Sequence, residues 1–140
     1  MKLEDLEGRL KSISEELAEV TRLTKRIEST LRELKEVADE SRDAAELSEL
    51  LEAARKKWGE MDTITKVMMA VVKLQYIQGR VDQMRDDVKR GVEPSQESLE
   101  KTSHLLDDAM RDLEAISDLK EHMRSILEKA EGVLTRIKRK

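Results

Sequence analysis

LEDLEGRLKSISEELAEVTRLTKRIESTLREL, Leu3 to Leu34, is the stretch that decides the fold class. Leu3, Leu6, Leu10, Ile13, Leu17, Val20, Thr24, Ile27, Leu31 and Leu34 alternate steps of three and four residues. A helix turns once in 3.6 residues, so this spacing gathers the side chains on one narrow stripe. The stripe reads as a heptad, with Leu3, Leu10, Leu17, Thr24 and Leu31 at a and the others at d. About five heptads in register make a coiled-coil seam. The flanking positions are mostly charged or polar. A lone amphipathic helix must bury such a stripe against something. The chain's own later helices can cover part of it. Another helical chain, or a second copy, can cover the rest, so the seam from Leu3 to Leu34 is the expected partner-binding surface. Point charges at Leu17 or Ile27 are then expected to disrupt assembly.

Working outward, the seam weakens at VADESRDAAELSE, where Ala38, Ser41, Ala45 and Ser48 would face inward. Asp43 and Glu46 have capping-box spacing. Either a turn near 40–43 folds the chain back, or the helix runs straight through. A second helix is expected over about 44–90. Inside it, Arg55, Lys56 and Lys57 before Gly59 resemble a helix end, and Asp62 or Thr63 could cap a new start, so a break near 59 is the alternative to one continuous helix. Arg90-Gly91-Val92-Glu93-Pro94-Ser95 punctuates most clearly: Gly91 ends a helix, and Pro94 disfavours helix just before it. A short turn there makes its two helices antiparallel neighbours. The third helix is expected over about 95–138, on a seam running from Leu99 to Ile137 and widened by Leu105, Leu119, Ile126 and Val133.

The second helix contains the one segment that is apolar on nearly all sides. Val67-Met68-Met69-Ala70-Val71-Val72 leads through Leu74 to the only tyrosine, Tyr76, and to Ile77. The step from Val71 to Leu74 is three where four is expected, a register slip that suggests added neighbours. Val67, Met68, Val71, Val72, Leu74 and Ile77 are therefore expected in the core, where one helix meets two others. The alternative is a patch covered by an external helix. On the core reading, Met69→Asp should damage folding.

Composition agrees with long helices. The chain has 140 residues, 41% of them charged, with a net charge of −4. Aromatic residues are 1%, so the core must be aliphatic. Five glycines and one proline are too few turn formers for a many-stranded fold. The expectation is an all-α, elongated antiparallel three-helix bundle, a single helical rod over 1–140. Helices of 40 to 48 residues would be about 60–70 Å long.

The sequence offers little chemistry. With no cysteine there is no disulfide, thiolate or Cys-based zinc site. His104 and His122 lack the Glu-x-x-His spacing of di-iron bundles, because Lys101 and Leu119 stand three residues before them. No phosphate loop or nucleophile elbow occurs. No catalytic, cofactor or metal residue is assigned, and the expectation is a non-enzyme. The absence of an apolar leader or span points to a soluble cytoplasmic protein. Balanced charge argues against a nucleic-acid surface. The basic tail from Arg136 to Lys140 carries the alternative of a membrane or nucleic-acid contact, and a helical-bundle metal binder is the other.

One resemblance bears on function. WGEMDTITKVMMAVVKLQYIQGRVDQMRDDV, Trp58 to Val88, precedes a turn and EPSQESLEKTSHLLDDAMRDLEAI, Glu93 to Ile116. With the preceding heptads, this resembles the N-terminal coiled-coil regions of multisubunit vesicle-tethering proteins of the exocyst and Dsl type. The resemblance implies a scaffold that joins other subunits through its N-terminal helices.

Overall fold

The first helix, α1 (Leu3–Val37), ends where its seam loses large side chains. The backbone turns over 38–41, and Ser41 starts α2 (Arg42–Glu60) by accepting a hydrogen bond from the Ala44 amide at 3.3 Å. The turn reading is thus met, with Ser41 rather than Asp43 as the cap. A serine oxygen there satisfies an amide that the first helical turn leaves without a partner. These elements belong to a computed structural model, which describes residues 2–139. The described residues form helices joined by turns and short irregular links, with no strand.

Two long helices of the sequence reading are each divided. Between α2 and α3 (Thr63–Lys89) the break falls at Met61-Asp62, not at Gly59, which stays helical. Asp62 takes φ 54°, the left-handed conformation that Asp tolerates better than most residues. Thr63 donates from Oγ1 to the Trp58 carbonyl at 2.7 Å, satisfying one of the orphan carbonyls at the end of α2. The expected helix over 95–138 is likewise two: α4 (Gln96–Glu114) and α5 (Ser117–Lys138). No Gly, Pro or side-chain cap marks this second break, and the fully buried Ile116 sits in it. The turn at 90–95 is present. Gly91 has φ +84°, and Ser95 caps α4 through the Ser98 amide at 3.1 Å.

By its internal contacts the chain divides into two units, where a single rod over 1–140 was expected. One comprises Met1–Ala18 with Ile64–Ala115; the other comprises Glu19–Thr63 with Ile116–Lys140. In the first, the early part of α1 pairs with α3 and α4. Glu7 pairs with Arg85, and Arg9 with Asp107, while Arg9 also donates to the Ser103 hydroxyl at 2.8 Å. Lys73 meets Asp112 at 2.8 Å and Arg80 donates to the Thr102 hydroxyl at 3.2 Å, so α3 and α4 run antiparallel across the Gly91 turn.

In the second unit the rest of α1 pairs antiparallel with α2. Arg55 holds Glu28 at 3.0 Å, and Lys35 holds Glu52 at 3.2 Å. Helix α5 runs alongside α1 in the same direction: Glu19 pairs with Arg124, Arg26 with Glu131, and Lys138 with Glu33 at 3.5 Å. Trp58 is buried and its indole N–H donates to the Thr24 hydroxyl at 3.2 Å. Thr24 is half-buried beside the indole. Leu23 fills the core at this level, so the heptad reading is one residue off there.

Candidate functional site

Burial differs from expectation in both apolar stretches. Leu3, Leu6, Leu10, Ile13, Leu17, Val20, Ile27, Leu31 and Leu34 are all buried within the single chain. The seam therefore offers no stripe to a second chain, and a charge at Leu17 or Ile27 would strike the fold itself. The reason is topological. Within each unit, its share of α1 already has two helices packed on it, and two neighbours suffice to close a stripe this narrow.

Helix α3 shows the opposite. Its buried line is Ala70, Leu74, Ile77, Val81 and Met84, again in steps of three and four. The other side is open: Ile64 is 65% exposed, Met68 63%, Met69 51%, Val72 65% and Tyr76 58%. Val71 is also exposed and Val67 half-buried. Of the residues expected in the core, Leu74 and Ile77 are there, while Met68, Val71 and Val72 are not. Apolar character on all sides here reflects two apolar faces, of which the fold uses one.

Ile64, Met68, Val72 and Tyr76 lie four residues apart and form one row along the helix. Thr65, Gln75, Gln78 and Gly79 fill the rest of the outward side. This side carries no charge over 64–79, about 24 Å of helix. The nearby cations lie at its margins, and Arg80 donates to the Tyr76 hydroxyl at 3.4 Å. Lys73 turns to Asp112 on α4. Arg80 lies 5.9 Å from the centre of the Tyr76 ring and donates to Thr102 on α4. Two shallow grooves flank the face. One, of about 320 Å³, runs between α1 and α3 over Leu10, Ser14, Leu17, Val71 and Gln75. The other, of about 560 Å³, lies between α3 and the start of α4 over Tyr76, Gly79, Arg80 and Ser98.

The largest contiguous apolar patch on a protein surface is often a functional one. The sequence carried one signal for it: a surface free of charge in a chain that is 41% charged.

His104 and His122 are exposed, and among the described residues no group of three or more metal-ligating side chains comes together. In the basic tail, Arg136 lies 3.9 Å from Asp43 and Lys138 3.5 Å from Glu33; Lys140 lies outside the described residues. Lys120, buried at a seam position, is held by Glu19 at 3.6 Å and Glu121 at 3.8 Å. The Lys35 ammonium, reinforced by Arg55, holds the Glu52 carboxyl below its ordinary value. These are structural ion pairs between or along helices. Among the described residues no helix is long and apolar enough to cross a membrane. No protein-family model, curated protein or solved structure matches the chain.

Proposed function

We propose that the chain is a non-enzymatic helical interaction module whose docking face is the outward side of α3, from Ile64 to Gly79. The observation that carries this reading is the uncharged row of Ile64, Met68, Val72 and Tyr76, each more than half exposed. Covering such side chains would gain about 1–2 kcal/mol apiece, since half or more of each is still in water. An apolar helix face is the natural complement, because the flanking grooves run along α3 and accept a rod-shaped ligand. Two methionines in the face suit adaptable packing. In the coarse form this is a scaffold role. In the finer form suggested by the sequence resemblance, the partners are helical subunits of a multisubunit tethering assembly, reached through α3 rather than through the N-terminal seam.

The test separates docking from folding. Met68→Glu with Val72→Glu should leave the melting temperature unchanged at a dilution where the parent chain is monomeric, and should lower binding of a hydrophobic dye such as anilinonaphthalene sulfonate. A melting temperature depressed as far as that of a core variant such as Ile77→Ala would mean that the face is needed for folding, and the reading would fail.

A further inference from the structure

We infer that the α3 face is covered by a second copy of the same chain, its α3 laid antiparallel across a two-fold axis. This deepens the docking reading above and rests on it.

The absence of charge is the first ground. A partner bringing a charged side chain against the middle of this face, Met68 to Gly79, would lose its hydration with no opposite charge to meet. The partner face must therefore be uncharged over that length, about 18 Å, and the face itself satisfies the requirement.

Register is the second ground. On the outward side Thr65, Met68, Val72, Gln75, Gly79 and Asp82 alternate steps of three and four, a short second seam on the same helix. Turn a copy about an axis level with Lys73 and Leu74, and Met68 falls opposite Gly79 of the copy. Val72 then falls opposite Gln75, and Thr65 opposite Asp82, where the hydroxyl can donate to the carboxylate. Beyond the helix's own backbone and the adjoining residues, nothing lies within 4 Å of where a Gly79 Cβ would be, which leaves open space there for the Met68 thioether of the copy. Every contact occurs twice, as a two-fold interface demands.

Area is the third. The six exposed apolar side chains on this helix amount to roughly 500 Å², so two copies would bury about 1,000 Å² from these alone, where specific interfaces begin. Thr65, Gln75 and Gln78 add to it. An interface of this size corresponds to a weak, micromolar dimer rather than an obligate one.

The chain lacks cysteine, so one introduced thiol gives one label per copy. Light scattering of the full chain across a concentration series should show a monomer–dimer equilibrium, and Met68→Glu should remain monomeric with an unchanged circular dichroism spectrum. A nitroxide at Asp86→Cys should report a separation of about 37 Å between copies, from 25 residues of helix at 1.5 Å each. A separation near 10 Å would mean parallel pairing and would overturn the inference. So would a dimer that survives Met68→Glu, or a monomer up to about millimolar concentration. In that last case the docking reading stands if the double variant above keeps its melting temperature, and falls with the inference if it does not.

Discussion

Ile77 and Val72 sit five residues apart on α3 and make the sharpest comparison. Ile77 is fully buried and Val72 is 65% exposed. Ile77→Ala removes three buried carbon groups, about 2.4 kcal/mol at 0.8 each. The unfilled space adds roughly 1–2 kcal/mol, and the better helix propensity of Ala returns ~0.4 kcal/mol. The expected loss is therefore about 3–4 kcal/mol, a large share of the 5–15 kcal/mol typical of a folded chain. Val72→Ala removes two carbon groups that are only about one-third buried, ~0.5 kcal/mol, and Ala returns a similar amount through propensity. Its expected change is near zero. Urea unfolding followed by circular dichroism, at a dilution that keeps the chain monomeric, measures both. A loss above about 1.5 kcal/mol for Val72→Ala, or below that for Ile77→Ala, would refute the assignment of inward and outward faces.

Glu19→Ala should cost about 2–3 kcal/mol, because it strips a partner from the buried Lys120 ammonium and from Arg124. Lys120→Met should cost less than half of that, since Glu19 keeps Arg124; equal losses in thermal unfolding would count against this ordering. Thr24→Val leaves the buried Trp58 indole N–H without its acceptor and should cost about 1–2 kcal/mol, with a shift in the emission of the only tryptophan; unchanged emission and stability would mean that the bond at 3.2 Å contributes nothing. For Glu52 the sign follows from a folded pKa held below the ordinary 4.5, first by the Lys35 ammonium and further by Arg55. The contribution is present above pH 4.5 and lost as pH falls through the lower folded value. Glu52→Gln should therefore flatten the acid side of the stability profile below pH 4.5, and an identical profile in both proteins would exclude the linkage.

Much of the fold was legible because helical period is a local signal. Leu3 to Leu34 declared a long helix with one buried stripe, and Gly91 with Pro94 declared a turn. The missed break at Ala115-Ile116 shows the limit. No Gly or Pro stands there, and only the modest helix preferences of Ile116, Ser117 and Asp118 mark it, which leaves no clear stop in the sequence. Thr24 and Leu23 show another: a strict heptad prefers Thr24, but the indole of Trp58 takes its hydroxyl as a partner and Leu23 packs inward instead. The apolar segment was located, and of the two readings open for it, core or externally covered patch, the core reading holds for Leu74 and Ile77 and not for Met68, Val71 or Val72. Val67 to Val72 stood out as apolar on all sides. Periodicity cannot say which of two apolar faces the chain itself will cover. The line Ala70, Leu74, Ile77, Val81, Met84 continues past the apolar run into a charged region, whereas the row from Ile64 to Tyr76 stops, and that difference in length is what distinguishes the inward face.

Helix α1 belongs to both units, and neither unit is a continuous piece of chain. Residues 64–115 of one unit are inserted between the two parts of the other. During synthesis, the hairpin of α1 and α2 emerges early but lacks α5, whose Met123, Leu127 and Leu134 complete its interior. That interior stays open until residues 116–138 have been made. Residues 64–115 must therefore be translated before the interior of the α1–α2 hairpin can close, which leaves that interior exposed on the nascent chain for as long as the insertion takes to make.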